Sequence, residues 1–122
     1  MRNFFISIMF LFIAPVSLLY AVEYLNNPAE VKQMLSGHKL DGLYLRTQSA
    51  YSLQFNKDGT LINQNDEQGH WWVSEQGQYC RKWDTGRLKG NEACLDLARE
   101  SDKIAIYSKN KKVAEGKLIP LN

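Results

Sequence analysis

The chain has 122 residues, with 15 Lys and Arg against 13 Asp and Glu, two Cys and two His. That length fits a single domain. The near-neutral balance forms no basic stripe, which removes the electrostatic basis for nucleic-acid binding, and so few Cys and His leave little with which to build a metal centre.

Residues 1–21 open with one positive charge, Arg2, run through an apolar stretch from Phe4 to Ala14, meet Pro15, and close on Leu19-Tyr20-Ala21. This is the layout of a secretory signal peptide cleaved after Ala21. A membrane anchor is the competing reading. It fits less well, because a span needs about 20 apolar residues, Pro15 breaks the run, and the next charge is the acidic Glu23. With no Cys beside the cleavage site, lipid attachment is not expected. The expected mature domain is therefore 22–122, periplasmic or secreted, with no membrane attachment after cleavage.

Export leads to an oxidising compartment, where cysteines pair. Cys80 and Cys94 are the only two cysteines, so one disulfide is expected, contributing about 3 kcal/mol for so short a loop. A two-Cys metal site or a free reactive thiol are the alternatives. His38 and His70 stand at no ligand spacing relative to either cysteine, and no cofactor is implied.

In the mature part, Asn27-Pro28-Ala29-Glu30 is a helix start. Asn27 can cap, Pro28 suits the first position, and Glu30 sits where a capping box places its acid. Val31, Met34 and Leu35 share a face and Gly37 supplies the stop, which predicts a helix over 28–36 lying across one end of the domain.

From Leu40 the period changes to alternation. Leu43 and Leu45 oppose Tyr44 and Arg46; then Tyr51, Leu53 and Phe55 oppose Ser52 and Gln54. Asp58-Gly59 is a hairpin signal leading into 60–62. Further strands are expected over 69–75, 78–84, 92–99, 103–108 and 113–118, the last interrupted by Gly116. Gln76-Gly77 forms a turn, and 85–91 forms a flexible loop. About eight short strands with tight turns and no helical crossovers predict an antiparallel meander. With one apolar face, it closes into a small, lipocalin-like barrel that removes its edges; a two-sheet sandwich is the second architecture.

Side-chain parity divides the central stretch 69–83. Ala93, Leu95 and Leu97 form an inward set, leaving Cys94 and Asp96 outward. A bond from Cys94 to Cys80 on the neighbouring strand then requires Cys80 outward, beside a Lys82–Asp96 pair. Tyr79, Arg81 and Trp83 are then inward, with Trp71 as their cross-strand neighbour. Arg81 in an aromatic interior needs a partner or water. It meets an inward acid such as Glu115 or Glu75, or it lies at the barrel mouth. Its sharpest reading is as the cation of a ligand pocket with Trp71, Tyr79 and Trp83, rimmed by 85–91. His70 and Trp72 face out as a candidate partner contact, unless the Trp72 ring lies half-buried under the helix.

The pattern Gly69-x-Trp71-x-Val73, Gly77-x-Tyr79-Cys80-x-x-Trp83 and Cys94-Leu95 resembles a group of small exported bacterial single-disulfide β proteins of uncharacterised function. The likeness spans roughly 35–121, including the Leu35-Ser36-Gly37 segment and the Asp58-Gly59 turn. It implies a β domain held by the Cys80–Cys94 bond, and no activity. In this chain His70-Trp71-Trp72 stands where a small residue more often precedes a single Trp.

For function, no catalytic motif is present: Ser52 and Ser74 have no His at a triad position and the acids are scattered. A non-enzymatic envelope binding module is expected, recognising a protein partner such as a hydrolase, or a small ligand at the barrel mouth. The alternative is a structural or envelope-assembly component with no pocket.

Overall fold

The computed structural model describes residues 21–122. The expected signal segment thus lies outside the described residues except for Ala21. One helix, α1 (Pro28–Leu35), precedes eight strands: β1 (His38–Tyr44), β2 (Ser49–Phe55), β3 (Thr60–Asn63), β4 (Gln68–Val73), β5 (Tyr79–Trp83), β6 (Glu92–Glu100), β7 (Lys103–Ser108) and β8 (Lys111–Pro120). Each strand pairs antiparallel with the next, and β1 pairs with β8, so the sheet is a closed barrel.

The helix forms where its caps place it. Asn27 Oδ1 accepts from the Glu30 N–H at 3.2 Å, and Pro28 occupies the first turn. Gly37 comes next at φ +74°, a left-handed conformation suited to glycine after a helix. Val31 and Leu35 are fully buried, each contributing about 1.5–3 kcal/mol of apolar burial. They close the barrel end carrying the 56–59, 74–78 and 101–102 turns, and α1 packs on β1 and β4 there. The opposite end, the mouth, carries the 45–48, 64–67, 84–91 and 109–110 loops.

The interior follows side-chain alternation, broken by a register shift where β7 pairs with β8 at Ile106 and Tyr107. Leu40, Leu53, Phe55, Leu61, Trp71, Tyr79, Leu95, Leu97, Ile104, Ile106 and Ala114 fill the middle and the α1 end. Trp71 and Tyr79 each meet the Phe55 ring edge-on, with centroids 5.4 and 5.2 Å apart. Gly116 does not interrupt β8, contrary to its expected role. It faces Gly42 across the barrel-closing β1–β8 pair, where only residues without a Cβ fit.

One seam is closed by a segment that shows no periodicity. β5 is four residues shorter than β6, and its pairing ends at Tyr79↔Leu95, which leaves the far half of β6 without a β5 partner. The segment before α1 fills this place. Leu25 N–H donates to Leu97 O at 2.8 Å, and the Tyr24 ring packs on Ala98, Ala105 and Tyr107.

Outside the barrel, Glu100 accepts from both Tyr107 Oη and Lys112 Nζ, and Lys112 also reaches Glu115 Oε2 at 2.7 Å. The Lys112 and Tyr107 hydrogen bonds hold the Glu100 carboxyl below its ordinary value of 4.5. A depressed carboxylate stabilises the fold above its unfolded pKa, and that contribution is lost as pH falls through the lower folded value. The group is about one-third exposed, so the contribution is under about 1 kcal/mol. Urea unfolding at pH 7 and at pH 3 should show Glu100→Gln losing less stability on acidification than wild type. Parallel losses would remove this network from the pH response.

Candidate functional site

The disulfide is present and anchors the site. Cys80 and Cys94 are direct cross-strand partners with Cα atoms 3.9 Å apart. Both belong to the outer parity of their strands. Cys94 is exposed and Cys80 is fully covered, Trp72 being its partner on the β4 side. The expected Lys82–Asp96 pair does not form. Lys82 faces Glu92 in register, and Asp96 Oδ1 accepts from Gln78 Nε2 at 3.1 Å.

Next along β5, Arg81 points inward at the mouth. Neither expected acid meets it. Glu115 is engaged by Lys112 on the outer face, and Glu75 is exposed in the 74–78 turn. Among the described residues Arg81 forms no salt bridge. Its Nη1 donates to Asn91 Oδ1 at 2.9 Å, and its guanidinium carbon lies 5.8 Å from the centroid of the Trp83 ring. A guanidinium has five donor hydrogens, so this bond orients the group without using it up.

Around Arg81 lies a cavity of about 340 Å³, walled by Tyr44, Tyr51 and Trp83 and rimmed by Asn63, Gln64, Asn65, Glu67, Arg87 and Leu88. Tyr44 and Tyr51 pack together opposite the arginine, with centroids 5.9 Å apart. Burial pushes the Tyr51 phenol up to about 12, and it pushes Tyr79 well above its ordinary value; the charge of Arg81 opposes both shifts only in part. Both phenols therefore stay protonated at neutral pH and can donate hydrogen bonds. The Tyr79 hydroxyl is fully buried and, among the described residues, has no hydrogen-bond partner.

The rim is built, not loose. The 84–91 loop, its 85–91 part expected to be flexible, is tied to the 64–67 loop and to Gln68. Asp84 and Thr85 N–H groups donate to Gln68 O, Gln68 N–H donates to Thr85 Oγ1, and Arg87 N–H donates to Glu67 Oε2 at 2.8 Å. Glu67 also accepts from Asn63 Nδ2 at 3.0 Å, and these bonds hold its carboxyl below the usual range. Glu67 thus latches two loops and is not a counter-ion for Arg81.

Of the residues expected to line a pocket, Arg81 and Trp83 line this one, and Tyr79 lies two residues below Arg81 on the same inner face. Trp71 does not line it. Its Nε1 donates to Asn56 O at 3.0 Å, which turns the indole toward the α1 end. Tyr44, Tyr51, Asn63 and Asn91 join the site without having been singled out from the sequence. The alternation from Leu40 through Gly42 to Tyr44, with Tyr51 in the inward set of β2, carried the signal for the two tyrosines.

The outward pair is placed as expected by parity. Trp72 is 39% exposed beside a groove of about 280 Å³ bounded by Lys32, Lys57 and Asp58. His70 Nδ1 lies 2.6 Å from Asp84 Oδ2, both side chains in solvent. The facing hydroxyl, Thr60 Oγ1, donates to Asp58 Oδ1, so His70 has no bonded nucleophile to activate.

Among the described residues no cluster of three or more His, Cys, Asp or Glu gathers as a metal site, and no helix is long and apolar enough to cross a membrane. The fold and site together define a closed eight-stranded β-barrel with a cationic, aromatic-walled mouth. No protein-family model, curated protein or solved structure matches the chain.

Proposed function

We propose that this protein is an exported, non-enzymatic binding module that takes a small anionic ligand into the barrel mouth. The observation that carries this reading is Arg81, an inward guanidinium in an aromatic-walled cavity with no carboxylate against it. A guanidinium with no carboxylate against it keeps donor hydrogens free, and a ligand anion would engage them. Export is supported by the signal-like N-terminus and by the disulfide. The cavity, close to the lower end of the volume range for small-molecule sites, favours a small ligand over a protein partner docking through His70 and Trp72, and over a component with no pocket. The exposed His70–Asp84 pair, lacking a nucleophile, supports the non-enzymatic part.

Arg81→Met is expected to leave stability within about 1 kcal/mol of wild type, since only the exposed bond to Asn91 is lost, as measured by urea unfolding. In wild type, titration with a set of small anions should shift the NMR resonances of Tyr44, Tyr51, Arg81 and Trp83, and these shifts should vanish in Arg81→Met. A loss of several kcal/mol in the variant would make Arg81 a structural residue. Anion-induced shifts centred elsewhere would remove the mouth as the site.

A further inference from the structure

We infer that the ligand is an elongated dianion, an apolar body with an acidic group at each end, one end beside Arg81 and Arg87 and the other beside Arg46 and Lys111. This rests on the mouth-site reading above and adds the ligand's charge and span. Three observations converge on it.

The first is a second cavity. It measures about 330 Å³, is walled by Tyr44, Leu45 and Val113, and is bordered by Arg46, Lys111 and Lys112. Tyr44 lines both this cavity and the one around Arg81. It ends β1, where it pairs with Ser49 of β2 on one side and with Ala114 of β8 on the other. The ring is thus a wall shared by two adjoining spaces. Each lies near the lower end of the volume range for small-molecule sites, and together they make an extended one.

The second is free charge in both cavities. Among the described residues Arg81 and Arg87 form no salt bridge, and neither do Arg46 and Lys111. Lys112 differs, being engaged by Glu100 and Glu115. The third is the shortage of acids to neutralise these cations. Among the described residues Glu67 is the one carboxylate lining either cavity, and it is taken by Asn63 and the Arg87 amide. Of the other acids in the mouth loops, Asp84 pairs with His70, and Asp66 lines neither cavity. Two unpaired cations in each space, with apolar side chains between, fit a ligand that carries an anion at each end. Its body crosses Tyr44, with Trp83 lining one cavity and Val113 the other.

The test uses the folded, disulfide-bonded protein at neutral pH and low salt. The probes are the linear biphenyl dicarboxylate with its acids at opposite ends, the monoamide of that acid, and terephthalate. Affinities come from NMR titration of wild type and of Arg46→Gln/Lys111→Gln, whose two changed side chains are exposed. The elongated dianion is expected to bind wild type about fivefold more tightly than its monoamide, a gain of the size that exposed cations supply. It should also bind more tightly than terephthalate, which carries the same charge on a shorter body. The double variant should lose the gain over the monoamide while the monoamide's own affinity stays level. Added salt should shrink the gain, since exposed charges are screened. Equal binding of the dicarboxylate and its monoamide to wild type would overturn the second charge. Terephthalate binding as tightly as the elongated dianion would put both charges in one cavity and overturn the span. Both of those results leave the mouth site standing. A gain that survives in the double variant would overturn the seat beside Arg46 and Lys111. Absence of mouth shifts with every probe would overturn both this inference and the mouth site.

Discussion

Replacing Cys80 and Cys94 together by alanine is expected to lower stability by about 3 kcal/mol, the entropic value for a closed loop of about 15 residues. The bridge spans β5 and β6 at the base of 84–91, the longest loop of the mouth, where each unpaired residue of the hairpin adds to the closure entropy of the unfolded chain. Cys80 is fully buried under Trp72 and Cys94, so truncation also removes packing and pushes the loss up, not down. The effect should reach the site as well. Arg81 and Ala93 are the next cross-strand pair, and Asn91, two residues before Ala93, holds the guanidinium. Urea unfolding gives the stability difference, and amide exchange gives its location. The 81–93 amides should exchange faster in the variant while the β1–β8 amides lose protection only through the global change. A loss below about 1 kcal/mol would show that the strand ladder alone fixes this hairpin.

The bridge also shows why parity reasoning succeeds here. Two cysteines on neighbouring strands can bond only from one face, so a single pairing sets the direction of the side chains along β5 and along the part of β6 paired with it. Strand count, antiparallel order, closure and the α1 cap arise from alternation and turn chemistry, which are local properties of the chain. Height along the barrel axis is not local. Trp71 and Arg81 are cross-strand partners, yet strand tilt carries the indole to the α1 end and the guanidinium to the mouth. Parity places both inside and cannot separate them. For the same reason Tyr44 and Tyr51 meet Arg81 only through closure of β1 on β8. The Asn91 acceptor and the Glu67 latch come from loops whose conformations are set by hydrogen bonds to one another. The 22–27 segment has no hydrophobic period, since it works through the Leu25–Leu97 backbone bond, the Tyr24 contacts with Tyr107 and Asn110, and Leu25 packed on the core, at a seam whose existence depends on the unequal lengths of β5 and β6.

Gly42→Ala is expected to be the most damaging single substitution in the barrel, exceeding the roughly 1–3 kcal/mol typical of overpacking. A Cβ at Gly42 would stand 1.8 Å from the Glu115 carbonyl oxygen, and one at Gly116 would stand 2.5 Å from the Asp41 carbonyl oxygen. Each obstacle is backbone, so no side chain can swing aside; β1 and β8 would have to part. Those two strands close the barrel, and parting them would restore two unpaired edges with their tendency to aggregate. The control is Gly90→Ala. Its Cβ would meet nothing within 4 Å, and only the φ of +83° resists the change, which limits the loss to about 1 kcal/mol. Urea midpoints separate the two, and where Gly42→Ala gives no folded product, soluble yield beside Gly90→Ala reports the same ordering. A Gly42→Ala protein within about 1 kcal/mol of wild type would mean that β1 and β8 can slide apart cheaply. The mouth would then be adjustable, because Tyr44 closes β1 directly beside Ala114 of β8 and its ring would move with that strand away from Tyr51 and Arg81.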